Sequence, residues 1–164
     1  MPAEREEIEP QELLDRHVFH PPMFPNGKIP FSTFFEFPSN QCESVAWRKY
    51  VEGGLPSVHR MGFERQATLR ARQLANQKKP DKTYIGVAAA AAGDIRAYRN
   101  LQGHGVAVVH EPKEGHHRVH ICYDPAPGVP MTRSDKNEIK LKLVKIFGGL
   151  DRHDCPDDGL TEAA

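Results

Sequence analysis

Four histidines, His110, His116, His117 and His120, fall within eleven positions of the stretch VVHEPKEGHHRVHICYD, residues 108–124, with Arg118 among them. Neutral imidazole nitrogens ligate Zn, Ni, Cu, Mn or Fe, and an imidazole beside a guanidinium can move a proton on an anion that the arginine holds. Strand alternation sorts the second arm into two faces. His117, Val119, Ile121 and Tyr123 share one, and His116, Arg118, His120 and Cys122 share the other. The first face is mostly apolar and is expected to pack on the core, leaving His116, Arg118 and His120 in an outward row. A five-residue turn at EPKEG would pair His110 with His116 and add it to that row, whereas a one-residue slip would send it across the sheet.

Three readings of this row compete. In the first, His110, His116 and His120 converge on a divalent transition metal. Spacing weakens it, because strand residues i and i+4 lie about 13 Å apart and Arg118 holds the i+2 place between His116 and His120. In the second, Arg118 clamps a phosphate or carboxylate, His120 or His117 acts as general acid and base, and His20 is a second proton carrier. In the third, the row is only the solvated face of a hairpin.

A second candidate lies upstream. Residues 60–82 carry seven Lys or Arg against two acids. Their helical period sets Phe63, Ala67, Ala71 and Leu74 on one stripe, with Arg65 and Arg72 roughly opposite as ligand-binding candidates. Such a face suits an acidic partner or a phosphate backbone. Nucleic acid is not favoured, since the segment's one aromatic, Phe63, is turned inward and nothing is left to stack on bases. Walker A, GxGxxG and GxSxG motifs are absent, and Ser32 and Ser44 lack the glycines of a nucleophile elbow. WRKY at 47–50 lacks the downstream zinc cysteines of the plant DNA-binding domain that it spells.

The elements that must position these residues read as follows. Residues 1–15 form a fraying helix, FHPPMFPNGKIPF (19–31) is a turn-rich loop, and FSTFFEF (31–37) is a short strand or packed loop. ESVAWRKYV (43–51) is either helix or strand. A helix runs from about Ser57 to Gln77, a buried strand over 83–88, a short helix from Asp94 to about Leu101, and then the hairpin. A final helix capped by Ser134 buries Ile139, Leu143, Ile146 and Phe147. The expectation is one α+β domain over 13–150, with a small, mostly antiparallel sheet and its C-terminal hairpin packed against two or three helices after an irregular aromatic-rich segment. Residues 1–12 and 151–164 are read as acidic, flexible ends. Hydrophobic content of 38% and charged content of 27% suit a folded domain of 164 residues.

Cys42, Cys122 and Cys155 are odd in number and outside any C-x-x-C pair, so neither a disulfide framework nor a zinc ribbon is expected. That usage, an acidic opening stretch unlike a signal peptide, and the lack of a spanning apolar run point to the cytoplasm, with no membrane partner.

Two resemblances add to this. VVHEPKEGHHRVHI resembles the metal-binding strand of rolling-circle nucleases and plasmid relaxases, with Arg118 where their central histidine stands. It implies metal-dependent attack on DNA by a tyrosine, and no motif singles out Tyr50, Tyr84, Tyr98 or Tyr123. More of the chain, roughly 13–121, resembles a scattered group of small bacterial proteins. Their outline falls here on Arg16, His20-Pro21, Ser32 with Phe35, Ser44-Val45, and Pro112 with His117 or His116; His-Arg replaces their His-Ala. This resemblance implies that His20 and His117 meet across the sheet.

The combined expectation is a small bacterial accessory or ligand-binding protein with a His/Arg pocket for a phosphate-bearing or carboxylate ligand, hydrolytic or not. A protein encoded nearby is an alternative partner. A metal-dependent nuclease and a non-catalytic interaction module using helix 60–79 remain as other readings.

Overall fold

Side chains alternate between two environments from Leu13 onward. Leu14 and Val18 are buried on one side, and Asp15 and His17 lie on the other. That alternation makes β1 (Leu13–His20) a strand where a fraying helix was expected. The computed structural model describes residues 4–20, 42–75, 83–113, 116–148 and 151. The expected strand at 31–37 and the proline-rich loop lie outside the described residues, apart from the end of β1.

The remaining elements are β2 (Cys42–Trp47), a 3-10 turn (Arg48–Tyr50), α1 (Leu55–Ala75), β3 (Thr83–Ala91), α2 (Ala92–Ala97), β4 (Gly105–Lys113), β5 (His116–Asp124) and α3 (Arg133–Ile146). The five strands form one sheet of order β3-β1-β2-β5-β4, with the paired neighbours antiparallel. The fold is therefore a small α+β domain, as composition and patterning indicated.

One face of the sheet carries the main core. Leu14, Val18, Val45, Trp47, Ala88, Ala90, Val106, Val119 and Ile121 meet Ile139, Leu143 and Phe147, with Ile95 and Ile8 joining them. Ile8 is buried, Arg96 donates to its carbonyl at 2.6 Å, and Gly93 N–H donates to Pro10 O at 2.8 Å. The segment before β1 thus lies packed along the fold. The cap of α3 is Thr132 rather than Ser134: its hydroxyl accepts from Asp135 N–H, and the Asp135 carboxylate accepts from Thr132 N–H.

α1 covers only half of the other face. Val58 and Phe63 pack on Tyr84 and Val87, and His17 donates its Nε2–H to Val58 O at 2.8 Å. Gly62 permits the approach, because a Cβ there would stand 2.3 Å from the Tyr84 ring. The expected stripe is anchored at Phe63 alone among its described side chains: Ala67 and Ala71 are exposed. Among the described residues no helix lies on the half of this face formed by β2, β5 and β4, where Ser44 and Arg118 are exposed and Ala46, Ala107, Val109, Glu111, His120 and Cys122 are partly so.

Cys42 and Cys122 are direct cross-strand partners on that half and form a disulfide, where no disulfide framework was expected. The bond removes the support that cysteine usage lent to a reducing compartment. Closing a separation of 80 residues, it is worth on the order of 4 kcal/mol by chain entropy. Among the described residues no helix is long and apolar enough to cross a membrane.

A buried ion pair locks β1 to the turn after β2. Asp15 is fully buried on the α1 side, and Arg48 donates to it through Nε at 2.9 Å and through Nη2. Arg48→Ala would leave that carboxylate buried without its counter-charge. It should lower unfolding free energy by about 3 kcal/mol in urea titration, near the lower end for broken buried pairs because Arg48 is a quarter exposed. A loss below about 1 kcal/mol would show that the pair is dispensable.

Candidate functional site

The hairpin register decides which histidines can act together. β4 and β5 pair from Gly105↔Asp124 to Lys113↔His116, which sets His110 opposite Val119 and leaves two residues, not five, between the strands. His110 consequently lies on the core side with His117, while His120 and Arg118 are on the open side. The proposed metal set of His110, His116 and His120 is not assembled, because His110 and His120 point to opposite faces. His116 occupies the register position opposite Lys113, and its side chain lies outside the described residues. Among the described residues no group of three His, Cys, Asp or Glu side chains is placed to hold a metal.

On the core side, a directed chain of hydrogen bonds settles the tautomers. Glu6 N–H donates to His110 Nδ1 at 2.9 Å, so the neutral ring carries its proton on Nε2 and donates to His117 Nδ1 at 3.1 Å. His117 in turn stacks on Tyr50 with ring centroids 3.5 Å apart, and the Tyr50 hydroxyl donates to the Glu6 carboxylate. Trp47 meets both Tyr50 and His110 edge-on, and Lys49 lies over the Trp47 and Tyr50 rings. Lys49 lies between the carboxylates of Glu6 and Glu12. The hydrogen bonds of this cluster dock the segment before β1 onto the sheet.

On the open side, His120 Nδ1 lies 3.1 Å from Glu111 Oε2. The contact is one of ion-pair distance, made by a ring that is itself partly exposed. Arg118 is directly opposite Glu111, and Ser44 is directly opposite His120. Arg118, His120, Glu111 and Ser44 thus share one face across three adjacent strands. Sequence reading found Arg118 and His120 but missed Glu111, whose place depends on the turn length, and discounted Ser44 for want of an elbow motif.

The other candidates are scattered. His20 ends β1 opposite Thr83, and its side chain lies outside the described residues. His117 sits at the level of Leu14 and Trp47, six residues away along the strand direction, about 20 Å, with β2 between. The implied meeting of His20 and His117 is not made. Arg65 and Arg72 are exposed on α1, which contacts β3 and β1 rather than the hairpin.

A third constellation escaped the sequence. His59 of α1 is buried between the Tyr84 hydroxyl, 2.8 Å from its Nδ1, and Asp151 Oδ1, 2.7 Å from its Nε2. Asp151 also exchanges backbone bonds with Val87. Burial, more than the nearby Asp151, raises the Tyr84 pKa above the ordinary phenol value, so this hydroxyl stays neutral and acts as a clamp between α1, β3 and residue 151.

Searches of protein-family models, curated proteins and solved structures find no match to the chain.

Two imidazoles of this fold resist protonation. Burial lowers the pKa of His17, and burial followed by the neighbouring His117 lowers that of His110. The unfolded chain takes up these protons first, near pH 6.5, so their contribution is complete above that pH and is lost as pH falls below it. Melting temperature should therefore drop on acidification from pH 7.5 to 5. His110→Asn, which keeps an acceptor near the Glu6 N–H and removes a titrating group, should flatten the drop; equal slopes would show that His110 contributes nothing to it.

Proposed function

We propose that the open half of the sheet binds a phosphate- or carboxylate-bearing ligand, with Arg118 as the anion clamp and His120 as the group that exchanges a proton with it. The observation that carries this reading is the Glu111–His120 pair with Arg118 beside it on an uncovered face. The Glu111 carboxylate lies 3.1 Å from Nδ1 of the imidazole, and the guanidinium, opposite Glu111 in the register, brings a planar fork suited to two oxygens. Ala46 and Ala107, small residues on the same face, leave room for a ligand to lie on the strands.

This reading narrows the anion site to one side of the hairpin. His117 serves the opposite side, held by His110 and Tyr50, and takes no part in it. Arg65 and Arg72 lie on a separate helix face.

Titration with inorganic phosphate, followed by ¹H–¹⁵N spectra, tests the proposal. Shifts should centre on Arg118, His120 and Ser44, and Arg118→Ala should weaken binding roughly tenfold or more, the usual scale for a hydrogen bond to a charged group. An unchanged affinity in Arg118→Ala, or shifts confined to α1, would refute it.

A further inference from the structure

Ser44 is the direct cross-strand partner of His120. The Cys42–Cys122 pair has its Cα atoms 4.1 Å apart, the close spacing of a non-hydrogen-bonded antiparallel pair. The register runs unbroken from Cys42↔Cys122 to Ala46↔Arg118, so Ser44↔His120, two residues along, has the same phase. Side chains of such pairs approach most closely, with Cβ atoms about 4.5–5.5 Å apart. Exposed Ser44 is therefore the close cross-strand neighbour of His120, whose Nδ1 lies 3.1 Å from the Glu111 carboxylate.

Resting on the anion-site reading above, we propose that Ser44, His120 and Glu111 form a nucleophile, base and orienting carboxylate that hydrolyse esters of small anionic molecules. Ser44 Oγ attacks the ester carbonyl as its proton passes to His120 Nε2. The carbon–alkoxide bond then breaks, His120 returns the proton to the departing alcohol, and an acyl-Ser44 ester remains. Water attacks that ester with His120 again taking the proton, and collapse releases the carboxylic acid and restores the serine hydroxyl. Ester and water give acid and alcohol, with no electron acceptor required. Arg118, next to His120 in the chain direction of the same face, holds the substrate's own negative charge. Glu111 acts through His120 and is a positioning residue. The arrangement needs no elbow, since a strand already presents every second side chain to the face.

The test uses the intact, disulfide-bonded protein and two probes. Diisopropyl fluorophosphate should add one phosphoryl group, mapped by peptide mass spectrometry to Ser44. His120→Ala should slow that labelling by about 10², while a Ser134→Ala control labels at the wild-type rate. Mono-4-nitrophenyl succinate should be hydrolysed roughly tenfold faster than 4-nitrophenyl acetate, and Arg118→Ala should erase the difference. Glu111→Gln should lower kcat with KM unchanged, and Glu111→Asp should restore part of it. No adduct on Ser44, or labelling indifferent to His120→Ala, overturns the nucleophile. Phosphate binding that depends on Arg118 without a Ser44 adduct leaves a binding site alone. A Ser44 adduct without phosphate binding keeps the catalytic set and removes the anion clamp.

Discussion

The register of the β4–β5 hairpin governs the chemistry of this protein. Lys113 pairs with His116, so two residues connect the strands, and every side chain on both arms is thereby assigned a face. A five-residue turn would have put His110 opposite His116, on the same open face as His120. The observed pairing sends it inward, where it is buried against Trp47 and bonded to His117. It also brings Glu111 onto the open face within reach of His120. One local choice thus separates the expected metal set into a docking pair and an imidazole beside a carboxylate.

The two histidine pairs show how environment assigns roles to the same side chain. His110 is bound at both nitrogens, accepting from Glu6 and donating to His117, so it could ligate a metal through Nε2 only by giving up the Glu6 bond. Burial opposes its protonation, which suits a structural link between the leading segment and the sheet. His120 is partly exposed, with the Glu111 carboxylate 3.1 Å from its Nδ1. A partly exposed imidazole beside a carboxylate is the kind of group that proton transfer uses.

Much of the fold was legible in the sequence because hydrophobic period carried it. Val119 and Ile121 marked the inward face of β5, and Ile139, Leu143 and Phe147 marked the buried stripe of α3. β1 was not legible: LLDRHVFH buries Asp15 as deeply as Leu14, and an ion pair with Arg48, far away in sequence, is what makes that possible. The disulfide was hidden for a similar reason, since only the β2–β5 register places Cys42 opposite Cys122. Arg118 and His120 were found from alternation within one strand. Glu111 and Ser44 depend on pairings between strands, which no local pattern encodes.

The position of the open-face cluster follows from how the sheet is covered. α1 needs an apolar seat, and it finds one on Tyr84 and Val87 through Val58 and Phe63, which commits it to the β3–β1 half. Among the described residues no helix seats on the other half, whose backbone is already paired: β5 is bonded to β2 on one side and β4 on the other, and the disulfide ties β2 to β5. Side chains rooted on such an inner strand are held more firmly than those on a loop, because their Cα positions are fixed from both sides. Arg118 and His120 gain that rigidity without burial, so they keep contact with solvent while their relative placement is set. A site of this kind requires little reorganisation when a ligand arrives, and that is the physical reason to look for function on the bare half of the sheet rather than along the charged helix.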